Sequence, residues 1–165
     1  MIDDLSRRFS PPQRSLVFQA LGEAEARTSG YYCIPPFRWD SLRYDLLTRV
    51  DHEWEPLPDP MLARVRCLQS TAKKSLFDFY RIELNDQTIL AAAERENLLS
   101  NLYPFLVYIL THEMVHLVRL SSILENWTET LAPFDQSEER RVHGISRRIL
   151  RGSSEIQPVL EKFCS

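Results

Sequence analysis

Ile109-Leu110-Thr111-His112-Glu113-Met114-Val115-His116-Leu117-Val118 is the stretch on which the reading of this chain turns. It lies within the longest apolar run, residues 103–118, which is too short for a membrane span and is interrupted by His112, Glu113 and His116. The run therefore predicts a helix that is apolar nearly all round and largely buried. In a helix each residue advances about 100°, so His112 and His116 stand one turn apart on the same face, about 40° different in direction. Burying two histidines and a glutamate costs solvation free energy unless something pairs them. A metal ion supplies that pairing. Imidazole binds zinc at about 2.0–2.1 Å, and a catalytic site keeps three protein ligands with a fourth position open to water. Glu113, beside the first histidine, is placed to take a proton from that water.

The remainder of the chain is read outward from this helix. With 165 residues, 44% of them hydrophobic and 26% charged, the composition is that of an ordinary globular domain, long enough to build its own core. One domain over 1–165 is expected, with an N-terminal helical part at about 1–55, a Pro-rich connector at 51–60 and a metal-site core at about 61–165. The formal charge of −3 provides no overall basic field, so no nucleic acid partner is expected. Arg140, Arg141, Arg147, Arg148 and Arg151 follow Glu138 and Glu139 on one predicted helix, the charge order that the helix dipole favours in a solvated face. Three cysteines, Cys33, Cys67 and Cys164, lie far apart with no C-x-x-C spacing, and the first residues carry no secretory pattern. Both features suit a cytoplasmic, reduced setting without membrane attachment.

Periodicity predicts a helix over residues 11–26 with Leu16, Val17, Ala20 and Leu21 as its stripe, a short helix over 39–50 through Leu42, Leu46 and Val50, and a third opened by Pro60 and running to about 71. Residues 76–84, aromatic-rich and ending at Asn85-Asp86, predict a strand, to which 88–91 is a candidate partner. Helices are expected at 92–101, from Pro104 to about 124, over 137–150 and over 156–163. The fold class expected is α+β, mostly helical, with a small antiparallel sheet packed on the helix that carries the two histidines.

Residues 109–118 resemble the extended signature of the zincin metallopeptidases. Downstream, Glu139-Arg140-Arg141-Val142-His143 resembles the glutamate helix of the gluzincins, including the small ImmA/IrrE-type and minimal gluzincin peptidases. That resemblance implies Zn2+ as cofactor, a peptide or protein substrate, His112, His116 and Glu139 as metal ligands, and Glu113 as the catalytic base. The 23 positions between His116 and Glu139 allow a turn at Ala132-Pro133 and an antiparallel return. The sequence departs from the family at Val142, where a small residue is usual, and at His143, where an Asn or Asp would orient a ligand histidine. His143 is thus an alternative third ligand or an orienting group. Glu138 is a further alternative, and Asp135-x-x-Glu138 also reads as a capping box. The resemblance further implies that residues 77–84 form an edge strand binding substrate by strand addition.

No oxyanion donor is assigned by the motif; Tyr80, Tyr103, Tyr108 and His143 are candidates. His52, in the connector, is read as surface. Competing readings are a non-catalytic zinc-binding regulatory or interaction protein, and a di-iron site built on Glu113-x-x-His116. The latter lacks a second E-x-x-H, because Glu139 and His143 are four apart rather than three. Manganese, iron or nickel also suit such a ligand set.

Overall fold

A computed structural model describes residues 7–51, 61–68, 78–121, 123–124 and 136–163. Its elements, in chain order, are α1 (Pro11–Tyr31), α2 (Pro36–Trp39), β1 (Arg43–Leu47), β2 (Ala63–Cys67), β3 (Phe79–Leu84), α3 (Asp86–Arg95), a 3-10 turn (Leu99–Asn101), α4 (Leu102–Leu120), α5 (Gln136–Leu150) and α6 (Gln157–Phe163). The fold is α+β and mostly helical, with a three-stranded sheet ordered β1-β3-β2.

Helix α4 is the centre of the molecule. Phe105, Leu106, Leu110, Met114 and Leu117 are fully buried, whereas His112 and His116 keep partial exposure. Pro104 sits in its first turn, where a missing N–H costs nothing. Along α4 runs α1, opened by a reciprocal capping box between Ser10 and Gln13. Its buried stripe is Val17, Ala20, Ala24 and Thr28. These small side chains leave room for the two helices to lie close, and Leu16 and Leu21 only flank the contact. The C-terminal α6 closes the other end, where Phe163 stacks on Phe105 and Tyr108 at centroid distances of 4.8 and 5.9 Å.

The sheet turns Tyr80, Ile82 and Leu84 to the core, and all three are buried. Arg81 and Glu83 face the other way. There Arg81 makes a two-pronged bond to Asp45 of β1 at 2.9 Å, and Arg64 and Arg66 of β2 reach Glu83. β2 runs antiparallel to β3 but β1 runs parallel to it, so the sheet is mixed rather than antiparallel. β3 is its middle strand. Residues 79–84 have both edges occupied and are not available for strand addition; among the described residues the outer strands are β1 and β2, and β2 is the one packed against α4.

Four expected elements take other forms. Residues 43–47 are a strand, not part of a helix over 39–50. Leu42 and Leu46 are four apart, a spacing that suits period 3.6 and period 2 alike, and the Asp45–Arg81 pairing goes with the extended form. Residues 63–67 are also a strand: Ala63, Val65 and Cys67 alternate with Arg64 and Arg66, a local pattern that outweighs the proline signal before it. Residues 88–91, a candidate strand, lie in α3, where Ile89, Leu90, Ala92 and Ala93 form a buried face. Asp86 opens that helix and accepts hydrogen bonds from the backbone N–H of Phe9 and of Arg49, both at 3.0 Å. These bonds tie three distant segments together. Helix α3 ends at Arg95, so the helix expected over 92–101 is broken; Asn97, at φ 57°, turns the chain. The N-terminal part, expected to be helical, thus contributes both α1 and β1 to the core around α4. Most of the Pro-rich connector with His52, the Ala132-Pro133 turn, Asp135 and Cys164 lie outside the described residues.

Candidate metal centre

His112 and His116 emerge from the same face of α4, as their spacing requires, with ring centroids 4.9 Å apart. Helix α5 packs against that face. Its first turn brings Glu139 to both rings: Oε1 lies 2.7 Å from Nε2 of His112, and Oε2 lies 3.0 Å from Nε2 of His116. One donor atom from each of the three residues lies within 4.8 Å of the others. Tetrahedral zinc with bonds of about 2.05 Å sets its ligand atoms roughly 3.3 Å apart. The three side chains therefore fit one such ion with small adjustments. The imidazoles are mostly covered and the Glu139 side chain is 58% exposed, so the cluster opens to solvent on the α5 side.

The electrostatics follow from this packing. Hydrogen bonds from His112 and then His116 hold the Glu139 carboxyl well below the usual range, against a smaller opposing effect of burial. Burial alone lowers the pKa of His116, but the hydrogen bond to Glu139 and the charges of Glu113, Glu139 and Glu138 outweigh it and leave the imidazole raised. Glu113 is buried beside these rings. Its carboxyl is pushed up by desolvation, only partly relieved by His112 and His116, and further raised by Glu139.

The alternatives to Glu139 take other positions. Glu138 turns about 100° away and meets the guanidinium of Arg119, whose Nη2 donates to Oε2 at 2.9 Å while Nε engages Oε1. Both side chains are buried. His143, one turn after Glu139, puts its ring 6.2 Å from that of His112 and stands outside the three-donor cluster. Burial, then His112 and Arg147, depress its pKa in spite of Glu139. Among the tyrosines proposed as oxyanion donors, Tyr80 is buried and donates to the carbonyl of Leu120 at 3.4 Å, Tyr108 stacks on Phe163, and Tyr103 is partly buried against the core. The fourth candidate, His143, has its ring beside that of His112.

Arg119 was not singled out by the motif, although a signal for it existed. It is a lone cation in the most apolar helix of the chain, three residues past His116, and a cation so placed requires a buried partner. Its partner is 19 positions away, beyond the range of helical spacing rules.

Comparison of the chain with protein-family models, curated proteins and solved structures finds no match. The functional reading therefore rests on the motif and on this geometry.

Proposed function

We propose that the chain is a zinc-dependent metallopeptidase of the HExxH type, resembling the small gluzincins. The observation that carries this reading is the meeting of Glu139 with both imidazoles of His112 and His116, next to the buried carboxyl of Glu113. His112, His116 and Glu139 would hold the ion, and its Lewis acidity would activate water and polarise a carbonyl. Glu113 acts as general base: its carboxylate, beside His112 and His116, takes a proton as the water oxygen attacks the scissile carbonyl carbon. It then gives the proton to the amine nitrogen as the C–N bond breaks. His143, beside His112, is placed to donate to the developing oxyanion.

An extended peptide or a flexible protein segment is the fitting substrate, and β2, the outer strand among the described residues that packs on α4, is the candidate to receive one. Exposed thiols at Cys33 and Cys67 go with a cytoplasmic setting. Among the described residues no helix is long and apolar enough to cross a membrane.

The competing reading is a non-catalytic zinc-binding regulatory or interaction protein of the same fold. Incubation of the zinc-loaded chain with a panel of peptides and denatured proteins separates the two. Cleavage by wild type and its loss in zinc-loaded Glu113→Gln support the peptidase; cleavage that persists in Glu113→Gln, or no cleavage of any substrate, rejects it.

A further inference from the structure

The first turn of α5 makes two contacts with α4 at once. Glu138 and Glu139 are adjacent and so point about 100° apart. Glu139 meets His112 and His116, while Glu138 meets Arg119, three residues further along α4. The two contacts differ in environment. The Arg119 and Glu138 side chains are only 3% and 9% exposed, against 58% for Glu139. An exposed carboxylate on a helix end is weakly held by its own ion pairs. A two-pronged guanidinium–carboxylate pair, by contrast, is directional and accepts one orientation of its partner. Val142, fully buried one turn later, continues the Glu138 face into the core.

Stability is a poor reason for such a pair to exist. Desolvating two charges costs several kcal/mol per ion, and well-packed apolar residues of similar volume often serve as well or better. The pair does, however, fix the rotation and height of α5 against α4. Rotating the first turn of α5 by one residue would replace Glu139 at the imidazoles by Glu138 or by Arg140.

We propose that Arg119 and Glu138 are positioning residues that set the phase of α5 so that Glu139 completes the site with His112 and His116. The proposal rests on the metal-site reading above, and its test separates the two.

Zinc affinity is measured on the full chain, by competition with a chromophoric chelator, for wild type, R119M/E138L, E139A and the triple variant. Metal-free R119M/E138L keeps the wild-type circular dichroism and a cooperative thermal transition, yet binds zinc about 10–100-fold more weakly, as loss of outer partners does. In the E139A background the same replacement costs no further affinity, because the pair acts through Glu139. With cobalt(II) at saturation, the visible absorption of R119M/E138L differs from that of wild type, reporting a changed ligand geometry. Wild-type affinity in R119M/E138L, or equal losses with and without Glu139, overturns the proposal and leaves the metal site standing. If R119M/E138L does not fold, Glu138→Gln, which keeps the shape and one acceptor for Arg119, is carried through the same cycle with the same criteria. A wild-type chain that binds no zinc overturns both readings.

Discussion

Nε2 of His112 and Oε1 of Glu139 stand 2.7 Å apart although 27 positions separate them in the sequence. That contact joins the two helices of the site, and its neighbour, Arg119–Glu138, joins them again in the buried layer beneath. The two glutamates are therefore expected to fail differently. Glu138→Ala removes the carboxylate paired with a buried guanidinium, and loss of one partner of such a pair costs about 3–5 kcal/mol of stability. Glu139→Ala removes an exposed carboxylate and so costs metal-free stability less than Glu138→Ala does, but lowers zinc affinity by more than about 100-fold, beyond the range typical of outer partners. Urea unfolding of the metal-free variants, paired with zinc titration, checks both; equal destabilisation by the two substitutions would contradict the assignment.

The histidine face of α4 and the presence of α1, α4, α5 and α6 were legible because helical periodicity and motif spacing are local properties; Glu139 was a candidate only through the resemblance to the gluzincin glutamate helix, beside His143 and Glu138. The sheet was less so. Leu42 and Leu46 satisfy both periods at once, and what selects the strand is pairing with β3, more than thirty residues later. The middle position of β3 was hidden for the same reason, since strand order is a non-local fact. Tyr80, Tyr103 and Tyr108 could be named as donors but not ranked, because contacts such as Tyr80 with Leu120 and Tyr108 with Phe163 are set by packing.

Glu139 and His116 give the metal-free protein opposite pH dependences of stability. Glu139 has a depressed carboxyl, so its contribution is present above the ordinary value of 4.5 and is lost as the pH falls through the lower folded value. His116 is raised, so its contribution is full below 6.5 and is lost as the pH rises through the higher folded value. Together these two groups contribute most between about pH 4.5 and 6.5, while the raised carboxyl of Glu113 works the other way above 4.5. Zinc requires the imidazoles to be deprotonated. The rise in melting temperature on adding zinc is accordingly expected to be larger at pH 8 than at pH 5.5, as measured by thermal scans in both states. A zinc effect that shrinks with rising pH over this range would contradict the assignment.

Glu113 adds a signature independent of turnover. Its folded pKa is raised, chiefly by desolvation, so its ionisation above pH 4.5 works against the metal-free fold. Metal-free Glu113→Gln should melt higher than wild type at pH 8 and converge with it near pH 4. A variant that melts lower than wild type at pH 8 would show that the carboxylate is compensated by a partner.

The central claim is that His112, His116 and Glu139 hold one zinc ion, and zinc content measures it most directly. Elemental analysis of the purified, zinc-loaded and exhaustively dialysed chain is predicted to find one zinc per wild-type molecule and background levels in folded His112→Ala and His116→Ala. Background zinc in the wild type, or undiminished zinc in the histidine variants, would contradict the account.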